Sequence, residues 1–531
     1  MAIYIARRST ARRVPRLGAL FATLVLFATA CAGPREAARP AGPHANSVAT
    51  APAHFFQRAY DELGARYIRP VDTAQLATAG LANLSKIDTR IGIRRQNDRF
   101  DVFDGDARIV SFDTPRGEDA SRWAALTAQA VDAARGFSPS LRETPNDRVF
   151  RVIMDGSLAK LDTYTRYDDP ERARESRAIR DGFGGIGVTV GFENGETRID
   201  SVTPDTPAAR GGLRVGDRIV AADGKALQGL AERDVIARLR GPVGTELRLD
   251  VRRPPATAPN EIRLLRGHIV PATVTWRRDG DLAYIKVSGF NQRTTDALVD
   301  AVRRAKVEIG AERIRGAVLD LRGNLGGLLD QAVSVADIFL ARGVIVSTRG
   351  RHRSSHQNMN AQPGDVGEDL PLVVLVNGQS ASASEIVAAA LQDNGRAIVV
   401  GTTSFGKGSV QTLVQMPNDG ELVITWARFH APSGYPLADL GVIPTFCTSG
   451  GRDDADAAKS SREGRMTDPA TMGRWRAADH GNLAGLKSLR EICPPENAAR
   501  DSDVALASTL LRDRATFSRT LQSAQQAALI R

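Results

Sequence analysis

Apolar residues at Phe55, Phe56, Tyr60, Leu63 and Tyr67, then Leu76, Leu81 and Leu84, recur mostly three to five apart. That is the period of helices burying one face. Between about Arg90 and Pro115 the pattern changes to alternation around an Asp-Gly turn, which predicts a small β-hairpin insert. Helical spacing returns at Arg122–Arg135 and near Val149–Leu161, so residues 55–181 form a mainly helical N-terminal domain carrying the hairpin. Residues 182–253 are β-rich. They open with GFGGIGVTVGF, include a helix at Arg233–Leu239, close on the strand TELRLDVRR, and lead into a Pro-rich linker, Pro254–Pro259.

From 254 to 447 short apolar runs alternate with amphipathic helices. Strands are expected at Ala283–Val287, Gly316–Leu321, Leu372–Val376 and Ala397–Val400, and helices at Thr294–Val307, Leu328–Leu340 and Ala383–Gln392. Runs of this kind make a layered α/β domain with a largely buried sheet. Gln411–Met416 and Leu422–Phe429, joined by Asn-Asp-Gly, form a hairpin. The extension 448–531 is polar until Cys493, then helical near Asp503–Leu511 and again beyond.

Composition narrows the class. The chain is 42% hydrophobic and 25% charged, as globular proteins are. Its formal charge of +10 is mostly arginine interspersed with acids, as in DPERARESRAIRD, and aromatics are only 5%. No basic stripe interleaved with aromatics stands out, so nucleic acid is not an expected partner. Arg7, Arg8, Arg12, Arg13 and Arg16 precede an apolar run, Leu17–Ala30. That run is shorter than the ~20 helical residues a bilayer needs, so residues 1–31 read as a signal peptide. Cys31, directly after small residues, resembles a bacterial lipoprotein cleavage site and is the lipidation candidate. Residues 32–54 are a Pro- and Ala-rich tether. With Cys31 set aside, Cys447 and Cys493 are an even pair suited to a disulfide in an oxidising compartment. No Cys-x-x-Cys or His-x-x-x-His occurs, and neither metal nor cofactor is expected.

The candidate chemistry lies in Asn377–Gln411. A buried strand leads to the turn Asn377-Gly378, then to Ser380, Ser382 and Ser384 at the start of a helix. A serine there sits beside helix N–H groups able to hold an oxyanion, although serines are also common helix caps. Lys407, between two glycines, lies one helix and one strand further on, which returns the chain to the same end of the sheet. Burial beside Phe405 would lower its amine enough to act as a base. Gln411, four residues on, could orient that amine. His430 reads as a surface residue at a strand end. Asp393, 393 − 382 = 11 residues past Ser382, lies about 16 Å along the helix and reads as structural. DLRGNLGG (320–327) follows a buried strand and precedes a helix, a place for backbone N–H groups to face an anion. Leu325 stands where GNSGG of trypsin-like proteases has serine.

The ordered series LDTYTRY, GIGV, TPAARGGLRVGDRIVAADG, GPVGT, YIKVSGF, DLRGNLGG, SASASEI, FGKGSVQ, and APSG with GVIP resembles the carboxy-terminal processing (tail-specific) proteases over about 55–446. The resemblance implies a ClpP/crotonase-like sheet with helices, an inserted PDZ domain at 182–253 and an N-terminal helical domain. It implies Ser382 as nucleophile, Lys407 as base, Gln411 as orienter, and an oxyanion hole of Ala383 and Gly326. Gly185, Ile186, Gly187 and Val188 would hold the carboxylate of a protein tail, which PDZ domains bind as an added strand. Arg240 would gate communication with the catalytic domain. The function implied is an exported envelope endopeptidase acting on proteins with apolar C-termini, with an adaptor or a second copy as further partner. The alternatives are an inactive PDZ scaffold and a trypsin-like PDZ protease. Thr163 replaces the family's usual proline, and both the 90–148 insert and the cysteine-bearing tail depart from its pattern.

Overall fold

The computed structural model describes residues 51–96, 98–364, 367, 370–450, 465–479 and 481–529, with side chains to 523. The signal-peptide reading, Cys31 and nearly all of the tether lie outside the described residues. Among the described residues no helix is long and apolar enough to cross a membrane.

The N-terminal helices Pro52–Arg66, Thr73–Ala82, Ala120–Phe137 and Asn146–Leu158 pack around Phe55, Phe56, Tyr60, Trp123 and Phe150. Phe55 stacks on Phe150 with ring centroids 4.2 Å apart. The expected hairpin is a three-stranded antiparallel sheet, Ile91–Gln96, Arg99–Asp104 and Ala107–Asp113. The stretch read as a hairpin holds one strand more, IGIRRQ, whose last three residues are exposed.

The β-rich unit has the strand order Asn260–Leu265, Glu246–Arg252, Arg218–Ala222, Glu196–Val202, Val188–Glu193. Pro254–Pro259, read as a linker, is therefore a connection between paired strands, and the sheet runs past 253 to Leu265. Polar alternation in NEIRLL hid that last strand. The unit is tied to the rest of the chain by a two-stranded stem, in which Gly267 pairs with Gly185 and Ile269 with Phe183.

The central sheet runs Val274–Asp279, Leu282–Val287, Gly316–Asp320, Leu372–Val376, Ala397–Gly401, Phe446–Cys447, Arg465–Met466. The pairings from Leu282–Val287 through Phe446–Cys447 are parallel. Alternate residues face two cores. Leu319, Leu372, Val374 and Val399 meet the helices Thr294–Ile309, Leu329–Asp337 and Ala383–Asp393. Val318, Val373, Leu375 and Ile398 meet Leu506, Leu510 and Leu511 of the helix Asp501–Arg512. Burial on both faces is why these strands read as unbroken apolar runs.

The supposedly polar stretch before Cys493 is built into the molecule. Met472 and Trp475 of Pro469–Arg476 and Leu486 of Leu483–Arg490 enter the main core. A few large side chains do the anchoring, so mean polarity misled. A final helix, Arg514–Leu529, follows Asp501–Arg512. Cys447 and Cys493 are joined by a disulfide.

Candidate active site

The wholly buried strand Leu372–Val376 ends in a turn that separates the three serines chemically. Ser380 Oγ donates to the Leu321 carbonyl (2.9 Å) and accepts from the Asn377 N–H (3.0 Å). Ser384 Oγ lies 2.8 Å from the carbonyls of Asn324 and Ala381, to which it donates. Both therefore fasten the turn to the DLRGNLGG loop. Ser382 Oγ is buried and has no hydrogen-bond partner among the described residues. Ser382 also has φ +64° and ψ −114°, a conformation costing a non-glycine residue on the order of 1–3 kcal/mol and concentrated at functional sites.

Surrounding groups impose that conformation. Glu385, in the first turn of the helix Ala383–Asp393, accepts from the Ser382 N–H at 2.6 Å. The same carboxylate accepts from Ser404 Oγ (2.6 Å), the Gly406 N–H (2.6 Å) and the Lys407 N–H (2.9 Å). One buried side chain thus ties the serine turn to the lysine loop. Burial pushes its carboxyl upward, and these four donors oppose the shift. Its signal in the sequence was Ser-x-x-Glu at 382–385, a capping-box spacing. Asn324 is the second hub. Its carbonyl accepts from the Ala381 N–H, its Nδ2 donates to the Val287 carbonyl, and its Oδ1 accepts from the Gly326 N–H at 2.8 Å.

That last bond engages the N–H of Gly326, the glycine expected in the oxyanion hole. Gly326 also lets two loops meet. A Cβ there would lie 2.8 Å from Ser382 Cβ, and its φ is +102°. Gly327 lines the cavity beside Ala381 and Lys407. Ala383 is the first residue of its helix, so its N–H has no intrahelical acceptor.

The Lys407 amine lies 4.8 Å from the centroid of the Tyr164 ring. Burial and the cation of Arg166 bring it down to about 8, while Glu385 and Asp162 pull the other way. The LDTYTRY loop that delivers Tyr164 and Arg166 is held by Asp162, which accepts from the N–H groups of Tyr164 (2.8 Å) and Thr165 (3.0 Å) and from Thr425 Oγ1 (2.8 Å). Thr163, in the place of proline, lines the cavity.

Gln411 is buried in the strand Ser409–Gln415. Its Nε2 donates to Ser409 Oγ (2.8 Å) and Thr425 Oγ1 (3.2 Å), and its Oε1 has no partner among the described residues. Lys407 precedes the strand, and the register of the ladder shifts between Val410 and Gln411. Asp393 accepts from Ser433 and pairs with Arg476 at 2.8 Å, far from the serine turn. His430 ends its strand half-buried rather than exposed, bridged to Pro436.

A mostly apolar cavity of about 620 Å³ adjoins these groups. Its walls are Tyr164 and Arg166, Ile179 and Arg180, Phe290, Leu325, Gly327, Leu328, Ala381, Phe405 and Lys407. A second groove of about 200 Å³ runs between 185–190 and Ile236, Leu239 and Arg240 in the β-rich unit. Gly185, Ile186, Gly187 and Val188 line it. The Arg240 guanidinium lies 4.0 Å over the Phe183 ring, at the stem.

A buried serine on a helix start, a lysine of lowered basicity and an adjoining peptide-sized cavity are the equipment of a serine-type peptidase. The PDZ domain model matches residues 198–253, and the Peptidase family S41 model matches 281–447. The carboxy-terminal-processing protease of Bartonella bacilliformis is 41% identical over 302 residues, 56% of this chain and 70% of its own. The carboxyl-terminal-processing protease of Synechocystis sp. is 34% identical over 302 residues, 55% of this chain and 69% of its own. A solved photosystem II D1 C-terminal processing protease is 24% identical, covering 74% of this chain and 92% of that one, with a TM-score of 0.39. The chain belongs to peptidase family S41, among the carboxy-terminal-processing proteases, and is a serine-type peptidase with a PDZ domain.

Proposed function

We propose that this protein is an exported endopeptidase of the bacterial cell envelope that engages protein C-termini through its PDZ groove and cleaves with Ser382 and Lys407. One observation carries the assignment. Of three alternating serines only Ser382 keeps its hydroxyl uncommitted, on the turn that Glu385 ties to the lysine loop. The neutral Lys407 amine takes the Ser382 proton as Oγ attacks the scissile carbonyl, then returns it to the leaving amine. The Ala383 N–H and the helix N-terminus stabilise the oxyanion, with the Gly327 backbone bordering the same space. Gln411 orients the lysine side, in a network with Thr425 and Asp162. The apolar cavity favours substrates with apolar side chains at the cut.

Export is supported by the charged-then-apolar N-terminus and by the disulfide, which persists in oxidising compartments. Lipid attachment at Cys31 would hold the enzyme at the membrane, with an adaptor or a second copy as further partner. Arg240, whose guanidinium lies over Phe183 of the stem that joins the PDZ unit to the rest, would report groove occupancy to the catalytic domain.

Ser382→Ala and Lys407→Ala should each abolish cleavage of an unfolded protein with an apolar C-terminus. Amidating that C-terminus should slow the unaltered enzyme, because the groove loses a carboxylate. Robust cleavage by either variant would refute the chemistry, and equal rates on acid and amide would refute tail recognition.

A further inference from the structure

The lysine loop is gripped from a second side, by a residue outside the matched peptidase segment. Arg490 closes the helix Leu483–Arg490 in the carboxyl-terminal extension. Its Nη2 donates to the carbonyls of Ser404 (3.0 Å) and Phe405 (3.4 Å), and its Nη1 donates to the Leu440 carbonyl. The guanidinium thus bridges the two backbone segments between which Lys407 emerges. Gly406 makes room for it, since a Cβ there would lie 3.3 Å from Arg490 Nη1. Ser404 is held twice over, with its carbonyl on Arg490 and its Oγ on Glu385. Arg490 is itself anchored by Leu486, buried in the main core, and by Cys493, bonded to Cys447 at the end of the sheet.

We infer that Arg490 is a positioning residue for the peptidase centre, holding the 404–407 loop from the extension side while Glu385 holds it from the serine side. The inference rests on reading Ser382 and Lys407 as that centre. A planar cation with several donors suits two or three carbonyls whose direction matters, and a lysine could satisfy only part of the set. Within the loop only Ser404 adds a side-chain tie, through Glu385, because Gly406 has no side chain and Phe405 is exposed. Misplacement of a catalytic group by about 1 Å can cost roughly a hundredfold in rate.

The test compares Arg490→Ala and Arg490→Lys with the unaltered enzyme on a peptide substrate, with and without added guanidinium chloride at concentrations below those that unfold it. For Arg490→Ala, kcat should fall roughly tenfold to a hundredfold with KM within about twofold, and guanidinium should restore part of kcat. Arg490→Lys should fall between. The acid limb of the pH profile should also move to higher pH in Arg490→Ala, because a loosened loop admits water and relieves the burial that lowers Lys407. The groups facing Lys407 (Arg166, Asp162, Glu385 and Tyr164) and those facing Arg490 (Glu385 and Asp439) are unchanged in these variants.

If Arg490→Ala folds with unchanged kcat and pH profile while Ser382→Ala is inactive, the positioning role is wrong and the centre stands. If Ser382→Ala cleaves normally, the centre itself is wrong. Should Arg490→Ala fail to fold, Arg490→Lys decides. A folded lysine variant with full kcat overturns the proposal, and one with reduced kcat that guanidinium leaves at unchanged KM supports it.

Discussion

Lys407 works as a base only when neutral, and two residue-level effects set how often it is. Burial disfavours the ammonium, and the Arg166 cation repels it, so the amine titrates at about 8 rather than near its ordinary value. Cleavage should therefore rise with pH along a limb centred near 8. Replacing Arg166 with glutamine removes the repelling cation, so the amine becomes more basic and the limb should move to higher pH. A kcat/KM profile that stays put would show that Arg166 does not tune the base. The three serines and Lys407 could be picked out by residue type and spacing. Glu385 and Asn324 were not singled out, although both lay inside quoted motifs, because what distinguishes them is hydrogen bonds, accepted and donated, that reach other segments of the chain.

At the scale of elements, the helix Asp501–Arg512 closes one face of the central sheet and is locked by charge as well as by Leu506 and Leu511. Arg322 of the DLRGNLGG loop pairs with Asp320 (2.9 Å) and reaches Asp503 on that helix (2.9 Å), with all three side chains buried. Removing one partner strands the other charges. Arg322→Ala should lose about 3–5 kcal/mol, seen as a clear drop in melting temperature. A variant melting with the unaltered protein would mean that this cluster does not hold the helix.

The helix Pro170–Asp181 was missed although its signals were present. Asp169 caps it, proline opens it, and Gly182 at φ +92° closes it. It buries only Ala173 and Ala178 on its own account, so no apolar stripe marked it. Arg177 and Arg180 pin it to Glu421, which brings Ile179 and Arg180 to the cavity.

Across the whole molecule, the carboxyl-terminal extension acts as a strap. Cys493 is bonded to Cys447 across 46 residues of sequence. From there the chain runs over the serine turn, where the Glu496 carbonyl accepts from the Gly378 N–H (2.7 Å) and the Asn497 carbonyl from Asn377 Nδ2 (2.8 Å). Closing a loop of this length removes unfolded-state entropy and stabilises by about 2–4 kcal/mol. The double variant Cys447→Ala/Cys493→Ala should therefore melt at a lower temperature than the oxidised protein. Dithiothreitol should lower the melting of the unaltered protein and leave the variant unmoved. Equal melting of all forms would remove the strap's stabilising role.

What the sequence determined by itself is whatever depends on local pattern. The buried parallel strands follow from unbroken apolar runs, the helices from spacing, and the family and its serine–lysine block from an ordered series of motifs. The tertiary structure alone decided which serine hydroxyl stays uncommitted, that Gly326 spends its N–H on Asn324, that the ladder shifts register at Gln411, and that the extension reaches the lysine loop through Arg490. Apart from the short-range Asn324–Gly326 bond, these contacts join segments more than ten residues apart. Their energies depend on distance and direction in space, which spacing along the chain does not encode.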